Sequence, residues 1–332
     1  MKAAVLFKSK QALKVIDLEL PKKLAHGQVL VKLSYSGICG AQINEIDAVK
    51  GKDKFLPHLL GHEGSGIIEK IGEGVTNVEV GDHVVLHWRK GAGFQSNTPV
   101  YKYKGKKINA GWVTTFNEKA IISENRVTKI PKEFNLKLAP LFGCSVTTAF
   151  GVVNNDAKIK VGQSVLVIGL GGVGLNIVQA CSMVSAYPII GIDIHKIKIQ
   201  QAKKFGLTYG FLSKDIDENK IKKLVGNEKF DIVIETTGIP TLIEKAYELT
   251  SARGKTILVG VPNGKIKINS LPLHFDKLLK GSHGGSCEPN IDIQNYINLI
   301  NNKKMTLNGI ITHEFALKDI NKALDLFRTG KA

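Results

Sequence analysis

The sequence predicts an α/β protein in two parts: a β-rich, barrel-like region, then a doubly wound parallel sheet. Three observations carry this reading. Up to about Pro131 the runs have strand character; beyond it short apolar strands alternate with helical stretches; and the first such strand is joined to the first helix by Gly169-Leu170-Gly171-Gly172-Val173-Gly174. At 332 residues the chain exceeds one ordinary core, and a prior of about 100 to 200 residues per domain gives two domains.

In the first part, strands are expected at residues 2–7, 13–18, 28–37, 65–71, 82–88 and 112–127, punctuated by Gly72-Glu73-Gly74 and Glu79-Val80-Gly81-Asp82. Many short strands with glycine turns imply a closed or strongly bent sheet. In the second part, residues 164–168 read as a strand, 173–184 as a helix, 189–193 as a strand and 196–205 as a helix stopped by Gly206. A strand near 210–212, a helix at 218–225, a strand at 231–236, a helix at 241–250 and a strand at 255–261 continue the alternation. Helices are expected at about 292–301 and 318–328. In the second of these Ile320, Ala323, Leu324 and Phe327 form one face and Gly330 closes it.

Composition excludes several classes. Hydrophobic residues make up 43% and the 34 glycines are dispersed, which fits neither a disordered nor a fibrous chain. With no run of about 18 apolar residues and no cleavable apolar leader, no membrane partner is expected and the location is cytoplasmic. The four cysteines, Cys39, Cys144, Cys181 and Cys287, lack C-x-x-C pairing and read as reduced thiols. Lysine and arginine exceed acids by 46 − 29 = 17, but only Arg89, Arg126, Arg253 and Arg328 are arginine, the side chain that reads phosphates and guanines as a fork. Diffuse solvated lysines follow, and no nucleic-acid partner. The tightest basic cluster, Lys102, Lys104, Lys106 and Lys107, reads as an exposed hairpin.

Gly169-x-Gly171-x-x-Gly174 acquires meaning from its context, a strand before it and a helix after it. Its glycines permit a tight turn, close approach of backbone to a pyrophosphate, and contact between helix and sheet, with the helix amino terminus facing the phosphate. Asp193 ends the next strand, 19 residues after Gly174. It would accept hydrogen bonds from ribose hydroxyls and repel a 2′-phosphate, and Ile194 and His195 supply no arginine clamp, so NAD is preferred to NADP.

Cys39, His62 and Cys144 have the chemistry of a zinc site. Two thiolates and an imidazole leave one tetrahedral position open for water or a substrate oxygen. Singly, each also reads as an ordinary structural residue, since free cysteine is often a small buried hydrophobe. Together with a dinucleotide loop they point to alcohol or carbonyl redox chemistry.

Gly61-His62-Glu63-Gly64-Ser65-Gly66, then Gly72, Val75 and Gly81-Asp82, with Gly37-Ile38-Cys39-Gly40 before them, closely resemble the signature of the zinc-containing medium-chain alcohol dehydrogenases. The resemblance runs nearly end to end. It implies a GroES-like β-rich catalytic domain, residues 1–147 with 282–332, and a Rossmann NAD-binding domain, residues 148–281. It makes Cys144 the third zinc ligand, Thr148 a nicotinamide contact and Val173 the apolar residue behind the ring. Val259 and Val261 stand in the loop that binds the carboxamide, and Asp193 with Lys198 forms the adenosine-ribose pair. Glu63 is expected near zinc as an alternative ligand, and Trp88 matches an aromatic position of the substrate pocket. Relatives commonly pair through an edge strand, so the resemblance implies a homo-dimer or homo-tetramer.

The chain also departs from the family. Its usual Ser or Thr two positions after the first cysteine, which relays the alcohol proton, is Ala41, and the Asp that orients the ligand histidine is Gln42. Glu45 is the better replacement acid and base, with Asn44 beside it. Residues 89–110 contain no cysteine where relatives carry a structural zinc lobe, so one catalytic zinc per chain and no structural zinc is expected. The chain stops at Gly330-Lys331-Ala332, where relatives usually continue into a last strand. The reading is an NAD-dependent zinc dehydrogenase for a secondary alcohol, polyol or sugar-derived hydroxyl. Its rivals are a zinc-free quinone or enoyl reductase on the same scaffold and a catalytically weak nucleotide-binding protein.

Overall fold

The computed structural model describes residues 1–215, 223–226, 229–262 and 264–332. The chain divides into two compact units, Met1–Cys144 with Glu288–Ala332, and Ser145–Cys287.

The first unit opens with β1 (Lys2–Leu6), β2 (Lys14–Asp17) and β3 (Gln28–Ser36), then a helix, α1 (Gly40–Ile46). There follow β4 (His58–Leu59), β5 (Glu63–Ile71), β6 (His83–His87), the hairpin of β7 (Tyr101–Tyr103) and β8 (Lys106–Ile108), then β9 (Lys119–Ser123) and β10 (Val127–Ile130). They make a three-stranded sheet in the order β2-β1-β4 and a five-stranded antiparallel sheet in the order β10-β6-β5-β3-β9. Val29, Val31, Ile68, Val84, Leu86, Ala120, Ile122 and Val127 come from all five strands of the larger sheet and share one buried cluster. A sheet whose edge strands meet one interior must bend around it, which is the barrel-like character expected from the sequence. The opposite face is buried too: Leu30 and Ile121 pack with Ala3, Val5, Leu59, Tyr101 and Ile108.

Residues 112–127 do not form the single strand expected of them. Only Lys119–Ser123 is strand before a 3-10 turn at Glu124–Arg126 steps the chain aside. The turn carries the fully buried Glu124 carboxylate to the backbone N–H groups of Thr76 at 3.0 Å and Phe94 at 2.9 Å. Helix α1 was not foreseen either, because seven residues are too few to show a helical period beside so many strands. The lysine-rich stretch is the hairpin expected of it, with Lys104 over the Tyr103 ring.

The second unit begins with α2 (Ser145–Gly151), also unforeseen. Then come β11 (Val165–Ile168), α3 (Gly172–Met183), β12 (Ile189–Asp193), α4 (Lys196–Lys203), β13 (Tyr209–Leu212), β14 (Phe230–Glu235), α5 (Pro240–Leu249), β15 (Thr250–Leu258) and β16 (Leu278–Gly281). All six strands are parallel in the order β13-β12-β11-β14-β15-β16, a doubly wound Rossmann sheet. Strand β11 is buried throughout, as a central parallel strand covered on both faces must be. The helix expected at 218–225 lies largely outside the described residues. Strand β16 was missed because four edge residues containing a lysine carry no clear pattern.

The chain then returns to the first unit through α6 (Pro289–Asn301) and α7 (Ile320–Arg328). Ile320 and Leu324 of α7 pack with Leu6, Leu13 and Phe116. Arg328 grips the Asp47 carboxylate with both guanidinium nitrogens and ties α7 to the end of α1. No helix among the described residues is long and apolar enough to cross a membrane.

Candidate metal centre and coenzyme loop

Three local devices of the first unit bring Cys39, His62 and Cys144 together. Cys39 leaves β3 as the N-cap of α1, after Gly37, where a Cβ would lie 2.8 Å from the Glu63 carboxyl carbon. His62 lies between β4 and β5, after Gly61 with φ +90°, where a Cβ would stand 2.3 Å from Thr115 Oγ1. Cys144 ends the 3-10 turn Ala139–Gly143. One ligand atom from each of the three lies within 4.8 Å of the others, and this is the one such cluster of histidine, cysteine and carboxylate donors among the described residues.

The electrostatics suit a cation. Cys144 Sγ lies 4.0 Å from Cys39 Sγ and donates to it. That bond holds the Cys39 thiol well below its ordinary value against the effect of burial, with His62 adding to it. The same bond, together with burial, pushes the Cys144 thiol well above its own. The bond thus favours the ionised form at Cys39 and the protonated form at Cys144. Burial pulls the His62 ring down, but Cys39, with the charges of Glu63 and Glu45, outweighs burial and leaves it raised. His62 Nε2 is a buried nitrogen without a hydrogen-bond partner. An unpartnered imidazole nitrogen beside two cysteine sulfurs, at these separations, fits a tetrahedral zinc ion.

Gln42, on α1, is buried behind this group. Its oxygen accepts the Cys39 N–H at 3.0 Å and its NH2 faces His62 Nδ1. The NH2 rather than the oxygen faces the histidine, because a backbone N–H can only donate and therefore claims the oxygen.

Of the other expected residues, Glu63 is buried but is not one of the converging donors; its charge acts on Cys144 and His62 from the start of β5. Trp88 follows β6 and hydrogen-bonds to Cys144, so the tryptophan stands beside the sulfurs. Arg89 stacks over the Trp88 ring. Glu45 on α1 lies with one oxygen 3.9 Å from His58 Nε2, and the same nitrogen is 2.7 Å from Asp53. Sequence reasoning missed His58 and Asp53: one histidine among nine, with nothing in its spacing to mark it.

The residues expected to hold a coenzyme lie in the second unit. Gly169 has φ +90°, and a Cβ there would reach 2.4 Å from Thr236 Oγ1, so only glycine makes this turn. At Gly174 a Cβ would meet the Gly169 carbonyl oxygen at 2.0 Å, the close approach of helix to strand end. Gly171 and Gly172 differ: nothing lies within 4 Å of a Cβ built there, which leaves a cradle at the start of α3 open to an anionic ligand. Asp193, at the end of β12, accepts the Leu170 N–H and the His195 N–H, each at 2.8 Å, and so ties the glycine loop to its strand. Val173 sits in the first turn of α3 and Lys198 on α4, both half-buried, while Thr148 is buried on α2. Val259 follows β15 with its N–H on the Glu235 carbonyl, and Val261 is exposed.

The comparisons with known proteins agree with this geometry. Residues 25–132 match the alcohol dehydrogenase GroES-like domain, and residues 172–302 match the zinc-binding dehydrogenase family. The chain is 31% identical over 362 residues to alcohol dehydrogenase 2 of Oryza sativa subsp. japonica, covering 100% of this chain and 95% of that one. It is 30% identical over 370 residues to S-(hydroxymethyl)glutathione dehydrogenase of Photobacterium damsela subsp. piscicida, covering 100% and 97%. Among solved structures, benzyl alcohol dehydrogenase from Acinetobacter calcoaceticus is similar with a TM-score of 0.87 and 27% identity, over 99% of this chain and 96% of that one. The fold and the donor set define an oxidoreductase of the zinc-dependent type. The chain belongs to the zinc-containing medium-chain alcohol dehydrogenase family.

Proposed function

We propose that the protein oxidises a secondary alcohol, polyol or sugar-derived hydroxyl with NAD, and reduces the matching carbonyl in reverse, with Cys39, His62 and Cys144 holding one catalytic zinc. The observation that carries this is the convergence of those three donors around an unpartnered His62 Nε2. When bound, zinc supplies a Lewis acid for the substrate oxygen, and the nicotinamide takes the hydride.

The chain's own residues do the rest. Cys39 and Cys144 offer sulfur, and Glu63 adds negative charge behind them. Trp88 walls the substrate side by its hydrogen bond to Cys144, and Glu45 takes up the alcohol proton in place of the hydroxyl that Ala41 lacks. Gly169, Gly171, Gly172 and Gly174 seat the pyrophosphate at the start of α3, with Val173 behind the nicotinamide and Thr148, Val259 and Val261 around it. Asp193 and Lys198 hold the adenosine ribose, and the Asp193 carboxylate disfavours the extra phosphate of NADP. The physiological form is a homo-dimer or homo-tetramer in the cytosol, in keeping with four free cysteines.

The test is zinc quantification followed by a panel of alcohols and polyols monitored at the NADH absorbance band. One zinc per chain and NADH formation from a secondary alcohol are expected. A zinc-loaded protein that reduces no NAD across the panel would overturn the reading.

A further inference from the structure

The Gln42 amide bridges two groups of the metal centre, and its chemistry is matched to only one form of the histidine. Gln42 is 2% exposed, so water does not stand in for a lost partner. Its oxygen accepts the Cys39 N–H, and its NH2 donates to His62 Nδ1, which leaves the ring proton on Nε2. A histidine that gives its Nε2 lone pair to a cation carries its proton on Nδ1 instead. The two groups facing the amide are then both donors, and an amide has one oxygen. Whichever way it turns, one buried N–H faces an NH2 group, and leaving a buried donor unmatched is costly. A carboxylate of the same length has an oxygen for each.

We propose that Gln42 is a positioning residue that works against metal loading, so that this centre holds zinc more weakly than the same centre with a carboxylate at position 42. The inference rests on Cys39, His62 and Cys144 being the zinc ligands. It makes the centre's affinity a property of one neutral side chain, and it makes the amide release one of its two bonds when the metal enters.

The test uses the full chain and reads zinc affinity by competition with a chromophoric chelator, independent of turnover. Gln42→Glu is expected to tighten zinc by at least about tenfold, the lower end of the 10- to 100-fold range for groups that support a metal ligand. An affinity unchanged or weakened overturns the proposal. Gln42→Met, which offers an acceptor to neither donor, is expected not to reproduce the gain, and an equal gain overturns it as well. Should Gln42→Glu not fold, the wild-type chain decides alone. Nitrogen-15 spectra of the histidine ring are expected to move the proton from Nε2 to Nδ1 on zinc loading, and the same nitrogen protonated in both states overturns the proposal. A wild-type chain that takes up no zinc sinks the metal reading itself; one that binds zinc, with no gain in Gln42→Glu, sinks only the role of Gln42.

Discussion

His58 Nε2 lies 2.7 Å from the Asp53 carboxylate while its Nδ1 lies 2.9 Å from the Leu59 carbonyl oxygen. A carbonyl only accepts, so Nδ1 carries a hydrogen, and the ring is held between Leu59 and Asp53 with Nε2 turned toward Glu45 at 3.9 Å. Burial pushes the Glu45 carboxyl above its ordinary value; His58 pulls it down, Asp53 pushes it up, and His62 and Lys50 pull it down. If Glu45 takes up the alcohol proton as proposed, it must be ionised to do so, and alcohol oxidation is expected to fall as pH drops through its raised value. His58→Gln removes the pull and moves this acid limb to higher pH, whereas Glu45→Gln abolishes it. Profiles of kcat/KM against pH for the three proteins check this, and a limb that survives Glu45→Gln unshifted rules the carboxylate out.

Each donor of the metal centre is expected to be indispensable to zinc. Cys39→Ala, His62→Ala and Cys144→Ala leave two of the three proposed protein ligands, and the zinc content should fall from the proposed one per chain toward zero. Loss of the Lewis acid is worth several kcal/mol, so activity should drop by about a thousandfold or more. Elemental analysis alongside turnover separates this from a folding defect, since the apo variants should retain the far-ultraviolet dichroism of the wild type. A Cys144→Ala protein with full zinc would remove that cysteine from the ligand set.

Two glycines of one loop should respond in opposite ways to the same methyl group. At Gly174 a Cβ collides with the Gly169 carbonyl at 2.0 Å, so Gly174→Ala should cost about 1 to 3 kcal/mol by overpacking and lower the melting temperature. At Gly171 nothing lies within 4 Å, so Gly171→Ala should melt like the wild type. If the open space there seats the pyrophosphate, the same variant should nevertheless bind NAD at least about tenfold more weakly, a loss of 1.4 kcal/mol. Calorimetry with and without NAD checks both halves, and unimpaired NAD binding by Gly171→Ala would place the pyrophosphate elsewhere.

The parallel sheet was legible because its strands are continuous apolar runs with helices between them, and the span of β12 and the glycine turn follow directly from that pattern. The three donors were legible as residue types, but their convergence was not, since it depends on Gly37 and Gly61 giving way to Glu63 and Thr115. What escaped had no local pattern. Helix α1 is too short to show a period, and Glu124 interrupts a run of strand residues for the sake of distant backbone donors. The direction of the Gln42 amide depends on a backbone N–H competing with a ring nitrogen. His58 and Asp53 acquire meaning only through a 2.7 Å contact.

His87 gives the last prediction, on stability against pH. The ring is fully buried at the end of β6, just before Trp88, with Nδ1 donating to the Arg89 carbonyl at 2.7 Å and Nε2 accepting from Thr128 Oγ1 at 2.9 Å. Both nitrogens are satisfied by the neutral ring, and burial, helped by the charge of Arg126, pushes the group down from 6.5 to about 4. A group lowered on folding stabilises the folded chain fully above its unfolded value near 6.5 and loses that contribution as pH falls toward 4. A shift of roughly 2.5 units at 1.36 kcal/mol each amounts to about 3 kcal/mol. His87→Gln lacks the titration, so the stability difference between wild type and variant should shrink by about that amount between pH 7 and pH 4. Zinc release at acid pH is common to both proteins and drops out of the difference. Urea unfolding of the two at a series of pH values measures it, and a difference that stays constant with pH would mean that this ring takes up no proton on unfolding.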